Sequence, residues 1–305
     1  MSSIQNAVNR RGFMDFVKSV QRTFDKIENV GIQKRSSFSK SVYGQKNREL
    51  ENCHKGKRCF ILGTDSSLKQ RAIRRLENEV VFVTNDFFAF EEYDLVNPDY
   101  YLIFDEFYFS LENKKSCTKF RNDIEVLKKK TKKPVFILPV SARKMVEKFY
   151  KWNEWTDVYY VENVLNLYEG CLDAYDMTRC VTRTNVTVQN AILAATYMGV
   201  SEIYMMGIGR ADLLDELKVY CGTAFCQYEF KDKKMSDAYF IKEARKSGRF
   251  EDRLQRCVKG MDDFIEIDSY CSKKNIKLVD CTPRSIVDCI SHAEFESIFR
   301  SGEKV

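Results

Sequence analysis

The sequence predicts a doubly wound α/β fold with a mostly parallel central sheet. Short, continuously apolar runs recur along the chain, and each ends at glycine or a polar residue. Stretches with helical spacing of apolar residues separate these runs. Strands that are apolar on both faces and alternate with helices are typical of a parallel sheet covered on both sides.

Seven runs have the length and composition of buried strands, being rich in branched and aromatic residues. They are Arg58–Leu62, Val80–Thr84, Tyr100–Phe104, Pro134–Leu138, Val158–Val161, Glu202–Met206 and Ile276–Val279. Residues 51–305 therefore form one predicted domain around this sheet.

Two crossover helices and one insertion complete this domain. The spacing predicts a helix from Gln189 to a glycine cap at Gly199, and a longer amphipathic helix over Phe250–Lys274. Residues 209–248 are polar, charged and rich in tyrosine without a clear period. That pattern is typical of a lid or an insertion over a site.

The first 50 residues form a separate basic arm. They contain ten Lys and Arg against four Asp and Glu, whereas the remaining residues contain 40 of each. Apolar residues recur at helical spacing from Phe13 to Ile27, which predicts an amphipathic helix. This helix can pack on its own domain or on a second copy, or lie on the inner face of the cytoplasmic membrane.

The composition indicates a soluble globular protein of a reducing compartment. Hydrophobic residues make up 44% of 305 residues and charged residues 31%, and no apolar stretch is long enough to span a bilayer. The 11 cysteines lack zinc-ribbon or disulfide spacing, the closest pair being Cys221 and Cys226. No signal peptide is recognisable, so we expect a cytoplasmic protein. We also expect no metal site.

Two further clusters have ordinary structural explanations. The lysine run at 128–133 is typical of a helix C-terminus and lacks interleaved aromatic residues, so it does not predict nucleic-acid binding. Trp152, Trp155, Tyr159 and Tyr160 can stack on a sugar or belong to the core.

The candidate site follows from where ligands bind in open α/β sheets, namely outside the carboxyl ends of the strands. A small polar turn containing Gly63, Thr64 and Ser67 follows the first predicted strand. Asn85 follows the second and Asp105 the third, while Thr187 opens the helix before Glu202. Each can contact a nucleotide, and each can alternatively cap a helix or form a turn.

Four blocks of sequence resemble the bacterial sialyltransferases that use CMP-sugars, and the related motility-accessory and pterin-diphosphokinase-like proteins. The blocks are Lys55–Leu68, Val81–Asn85, Asn190–Gly207 and Asn275–Pro283, and they occur in matching order over roughly residues 52–300. The resemblance implies a Rossmann-like, single-domain variant of the glycosyltransferase fold.

The resemblance also implies an activity. It is an inverting, metal-independent transfer of a sialic-acid-like sugar from a CMP donor, without a further cofactor, to a cell-surface glycan or its lipid-linked precursor. Gly63, Thr64 and Ser67 would then contact the nucleotide, Asn85 and Asp105 the cytosine and sugar, and Thr187 the activated sugar. Hydroxyls of Tyr220 and Tyr228, with Tyr239 as a third candidate, would meet the charge of the leaving phosphate.

The chain departs from that family in ways that bear on activity. The family's Gly-Asn-Gly-Pro-Ser turn is replaced by residues 63–67, Gly-Thr-Asp-Ser-Ser, and its Gly-Ile-Asp becomes Gly-Ile-Gly at 207–209. No histidine base occurs between residues 209 and 274, and the two histidines, His54 and His292, are predicted to lie elsewhere. Asp105 is the first candidate base, followed by Asp212 and Glu229, if burial raises its pKa.

Two other functions remain open at this point. A pterin-diphosphokinase-like enzyme would need Mg²⁺. A non-catalytic descendant would keep the fold and bind a nucleotide or a partner, which the altered turn at Gly63 and the missing histidine favour.

Overall fold

The computed structural model describes residues 2–64, 68, 73–90, 93–109, 124–125, 127–130, 132–208, 250–283 and 285–300. Within α1 the side chains are described from Asp15 onward. The predicted lid at 209–248 lies outside these ranges.

The centre of the molecule is a nine-stranded parallel sheet. Its strands are β1 Arg58–Leu62, β2 Val80–Thr84, β3 Tyr100–Leu102, β4 Val135–Pro139, β5 Val158–Leu165, β6 Cys180–Thr182, β7 Glu202–Met206, β8 Lys277–Asp280 and β9 Ser291–His292. Their order across the sheet is β6-β5-β4-β3-β2-β1-β7-β8-β9. This confirms the doubly wound α/β fold.

Helices of very different length surround the sheet. They are α1 Ser2–Arg35, α2 Val42–Lys46, α3 Tyr93–Val96, α4 Arg143–Met145, α5 Thr187–Tyr197, α6 Phe250–Lys273 and α7 Ser297–Arg300. Single 3₁₀ turns follow several of the strands, and α4 continues into a π-helical turn over Val146–Tyr150. None of the described helices is both long enough and apolar enough to cross a bilayer.

The predicted strands agree closely with the sheet. β1, β2 and β7 coincide with their predicted bounds, and the other four differ by one to four residues at an end. The sequence analysis missed β6 and β9, which have three and two residues and lie at the two edges of the sheet. Strands this short carry no readable alternation, and only pairing with a neighbour defines them.

Each face of the sheet has its own apolar layer. One layer contains the alternate strand residues Phe60, Leu62 and Tyr101 together with Trp152. On the other face, α5 and α6 cover the sheet and contribute to the second apolar layer. Alanines in the middle of α5 are fully buried there, which lets this helix lie close to β1, β2 and β3.

The aromatic cluster at residues 152–160 belongs to the core. Trp152 and Tyr160 are fully buried, and the Trp152 ring stacks on Phe136 with 4.4 Å between the ring centroids. Trp155 packs against the same layer. These rings therefore stabilise the sheet and are not placed to stack on a sugar.

The N-terminal segment is joined to the domain in two different ways. Residues from Phe38 to Leu50 are packed into the body, where the fully buried Asn47 donates to the carbonyls of Tyr160 at 2.8 Å and Met177 at 2.7 Å. Helix α1 lies against the end of β5, where Asn29 is hydrogen-bonded to Asn166. The segment that stands apart from the core is α1.

Candidate functional site

The candidate site is the carboxyl edge of the sheet around β1. The chain builds outward from β1 to β6 and then returns to place β7 on the other side of β1. Such a reversal leaves a crevice outside the carboxyl ends of the two strands, where α/β proteins bind ligands. Residues that leave β1, β2, β3 and β7 at this edge are therefore the ones to inspect.

Strand register brings two of the predicted residues side by side. Leu62 of β1 pairs with Val83 of β2, so Thr64 and Asn85 each stand two residues beyond that pair on adjacent strands. Adjacent strands are about 4.8 Å apart. Asp105 leaves β3 at the same edge, one strand further on.

Gly63 lies at the closest approach of β1 to β7. Its N–H donates to the Met206 carbonyl at 2.9 Å. A Cβ at this position would stand 2.3 Å from the carbonyl oxygen of Gly207, which itself has φ +76°. The absence of a side chain at Gly63 therefore follows from backbone packing in the crevice.

Asn85 has an unusual conformation and an unused acceptor. Its backbone has φ +50°, a left-handed value that asparagine tolerates better than most residues. The buried Tyr101 hydroxyl donates to the Asn85 carbonyl and accepts from the Phe88 N–H at 3.0 Å, which holds this turn in place. The Oδ1 atom of Asn85 is buried and has no hydrogen-bond partner among the described residues.

A buried acceptor without a partner is costly, by about 1–3 kcal/mol, so it indicates a missing donor. The amide of Asn85 can accept from an exocyclic amine of a base or from a sugar hydroxyl, and it can donate through Nδ2.

Asp105 differs from what a general base requires. Its side chain is exposed, whereas its predicted role as a base rests on burial. Its neighbour Glu106 forms an ion pair with Arg183 at 3.6 Å, and both side chains are exposed. Asp105 thus remains a candidate by its position at the edge.

Thr187 opens α5, and its surroundings explain why the helix starts there. The Gln189 side chain accepts from the Val186 N–H at 3.0 Å, and the Asn185 N–H and amide both donate to Asp263 of α6. Burial raises the pKa of Asp263, partly offset by these hydrogen bonds. Asn185 is therefore structural, and Thr187, 8% exposed, begins a helix whose N-terminus is directed to the carboxyl edge.

The sequence analysis did not single out Asp280, at the end of β8. This side chain is fully buried; its Oδ1 accepts from the Thr282 N–H at 2.8 Å, while its Oδ2 has no partner within the described part of the chain. The Thr282 hydroxyl accepts from the Ile208 N–H at 3.1 Å. The rule of inspecting polar residues after each strand would have found both, had it been applied to this strand.

Arg183 was also missed. It follows β6, where its N–H donates to the Leu165 carbonyl at 2.8 Å, and its guanidinium is two-thirds exposed at the carboxyl edge. A cation here suits an anionic ligand. Because β6 itself was not predicted, no strand end marked this position in the sequence.

Several predicted site residues lie outside the described residues. They are Ser67 in the turn after β1, the lid tyrosines Tyr220, Tyr228 and Tyr239, and the alternative bases Asp212 and Glu229.

His54 lies at the opposite edge, as expected, whereas His292 was predicted in a helical tail and instead lies on strand β9, paired with Asp280. His54 Nε2 lies 2.8 Å from the hydroxyl of Tyr100, the first residue of β3, and is therefore at the amino edge. Burial lowers its pKa, as does the nearby Lys57. His292 is exposed on β9 and contacts the Val287 carbonyl at 3.0 Å.

A polar cavity of about 700 Å³ lies at the amino edge, between the end of α1 and the start of β6. Its lining includes Lys34, Arg48 and Arg179 together with Glu51 and Asp176. It lacks the convergence of strand ends that marks the opposite edge.

Within the described ranges, no three His, Cys, Asp or Glu side chains are grouped to hold a metal ion.

Comparison with known proteins gives a likeness of fold. No model of a known protein family and no curated protein matches the chain. One similar solved structure is the sialyltransferase CstII from Campylobacter jejuni in complex with a substrate analogue, cytidine-5'-monophosphate, with a TM-score of 0.37, 15% identity, and coverage of 78% of this chain and 85% of that one. A point mutant of the alpha-2,3/8-sialyltransferase CstII has a TM-score of 0.38, 15% identity, and coverage of 78% and 87%.

Proposed function

We propose that this chain is a glycosyltransferase that binds a nucleotide-activated sugar at the carboxyl edge around β1. The observation that carries the proposal is the buried Oδ1 of Asn85, which has no hydrogen-bond partner among the described residues. The Tyr101 hydroxyl holds the Asn85 backbone carbonyl, and with it this turn, beside the topological switch point. A cytosine amine or a ribose hydroxyl supplies the donor that this atom lacks. The blocks of sequence similar to CMP-sugar sialyltransferases favour cytosine.

The proposed reaction is an inverting transfer from a CMP-activated, sialic-acid-like sugar. The acceptor hydroxyl attacks the anomeric carbon and loses its proton to a base, the bond from that carbon to the phosphate oxygen breaks, and CMP leaves. The N-terminus of α5 and the Arg183 guanidinium supply positive potential for the phosphate at this edge. Asp105 is the candidate base for that proton, by its position beyond the end of β3.

The acceptor under this proposal is a cell-surface glycan or its lipid-linked precursor, as in polysaccharide biosynthesis. No additional cofactor takes part, and the proposed chemistry needs no metal ion. The cytoplasm, including the inner face of its membrane, is the proposed place of reaction.

Thermal unfolding with nucleotides tests the proposal. We expect CMP to raise Tm without Mg²⁺, since saturation at 100 times Kd adds about 2.7 kcal/mol to the unfolding free energy. Asn85→Ala should remove most of this shift, because the base or ribose then loses its acceptor.

Asn97→Ala is the matched control. Asn97 also has positive φ, at +47°, but it is exposed and precedes β3 at the amino edge. The Asn97→Ala variant should bind CMP as the wild type does. A shift with Mg-ATP alone would replace the proposal with the diphosphokinase-like reaction, and no shift with CMP, CDP, UDP, GDP or ATP would favour a non-catalytic descendant.

A further inference from the structure

The face of α1 that points away from the domain is apolar. Six large side chains line it, 38–66% exposed: Phe16, Val17, Val20, Phe24, Ile27 and Val30. At 100° per residue they occupy an arc of about 140° on one side of the helix. In an ordinary surface helix, such a stripe would face the core.

The opposite side of α1 is the one that contacts the domain, and it does so through polar groups. Asn29, 6% exposed, donates to the Asn166 carbonyl at 2.9 Å and accepts from the Asn166 N–H at 2.8 Å. Gln33 donates to the Cys180 carbonyl at 2.9 Å, and Arg22 pairs with Glu169. These contacts fix the rotation of the helix and leave the apolar stripe outside.

The exposed area is large enough to need an explanation. A fully exposed aromatic side chain presents roughly 150–250 Å², so the six residues leave on the order of 500 Å² of apolar surface per copy. That is near the upper limit for the largest patch on a typical monomer. Two such faces together supply about 1,000 Å², the size at which specific protein interfaces begin.

The charges around the stripe favour a protein partner over a membrane surface. Helices that lie on membranes carry Lys and Arg beside the apolar face. Of the three cations within residues 16–30, Lys18 and Arg22 lie on the side opposite the stripe, and Arg22 pairs with Glu169. Lys26 stands 5.7 Å from the centre of the Tyr168 ring of the domain. Thr23 within the stripe and Ser19 beside it are uncharged, and the other border of the stripe carries the carboxylate of Glu28, which disfavours an anionic membrane surface.

We propose that this face binds the same face of a second copy, so that two α1 helices pair to form a homodimer. An identical apolar stripe is a complementary partner in a two-fold interface, since each copy presents the same surface. The apolar stripe faces away from the domain, so the proposed contact does not use the residues of the candidate site.

Sedimentation velocity on the full chain over a range of concentrations tests the proposal. The wild type should be dimeric at micromolar concentration. The double variant Phe24→Glu, Ile27→Glu should raise the dimer dissociation constant by at least about 100-fold, because unpaired carboxylates would be buried between the helices. The control variant Phe149→Glu, Leu95→Glu alters exposed apolar residues elsewhere and should remain dimeric.

A second measurement does not depend on a variant. Hydrogen exchange of residues 16–30 in the wild type should slow as concentration rises if the helices pair. A wild type that is monomeric at every concentration overturns the proposal, as does a dimer that tolerates the glutamates. Monomeric protein that sediments with phosphatidylserine vesicles through this face would instead assign the stripe to a membrane.

Discussion

Asn85 and Gly63 show two different reasons for an unusual residue at the same edge. Gly63 is small because the Gly207 carbonyl leaves no room for a Cβ. Asn85 has a left-handed backbone and a buried acceptor that no described residue uses. The first feature is explained by packing alone, whereas the described residues do not explain the second, which the proposed ligand would satisfy.

The packing at Gly63 predicts a stability loss. Gly63→Ala should lower the unfolding free energy by about 1–3 kcal/mol, since the new methyl group would force β1 and β7 apart. Urea unfolding measures this loss in unfolding free energy. Gly31→Ala is the control: its Cβ would stand 3.7 Å from the Arg35 side chain on an exposed helix, so it should be neutral or slightly stabilising. Equal stability of Gly63→Ala and wild type would mean that the crevice is looser than described.

At the level of elements, α5 and α6 are joined by a buried polar contact in addition to apolar packing. Asp263 of α6 accepts from Asn185 at 3.1 Å and 2.7 Å, and the Gln189 side chain donates to the Gly260 carbonyl at 2.6 Å. These bonds fix the N-terminus of α5 relative to the sheet edge. The position of Thr187 therefore depends on a helix about 75 residues later in the chain.

The buried carboxyl of Asp263 predicts a pH dependence. Because its pKa is raised in the folded state, that state binds more protons than the unfolded one between about 3.9, the ordinary value, and the folded pKa. Its contribution to stability should therefore fall as pH rises through this window and stay constant above it. Asp263→Asn should remove that component, seen as a change in the pH slope of the unfolding free energy. Parallel slopes for the two proteins would show that Asp263 titrates normally.

α1 is the element whose surface is least explained by its own domain. Its polar side is hydrogen-bonded to the body, and its apolar side is exposed. The amphipathic pattern predicted the helix correctly, but packing of its apolar face on the body did not occur. Polar side chains that meet backbone groups of residues 166 and 180 determined which side turns inward.

At the scale of the whole molecule, five of the eight described cysteines are buried and serve as small apolar residues. The eight described cysteines are free, and burial raises the pKa of Cys171 and Cys180 to about 11 and of Cys271 and Cys281 to about 12. Thiols of this kind are inert at neutral pH because the thiolate is the reactive form.

This predicts a labelling pattern for the native protein. Among the eight described cysteines, iodoacetamide at neutral pH should modify the exposed Cys53 first, and Cys271 and Cys281 only after unfolding in urea. Peptide mapping by mass spectrometry reports each site. Fast labelling of Cys271 in the native state would contradict the packing of α6 on the sheet.

The sequence by itself determined the fold class, seven of the nine strands and the set of polar residues that follow them. It could do so because strands buried on both faces are continuously apolar, and a parallel sheet sends all its carboxyl ends to one edge. Asn85, Asp105 and Thr187 were located at that edge on this ground alone.

Only the tertiary structure decided which of those residues are hydrogen-bonded to, or packed against, other parts of the protein. Asn185 is bonded to Asp263, Gly63 is packed against Gly207, and Asp105 is exposed, while the acceptors of Asn85 and Asp280 are left unused by the described residues. Whether a polar group finds a hydrogen-bond partner depends on groups distant in sequence. The outward rotation of the apolar face of α1 also depends on distant groups. Local spacing carries no information about either.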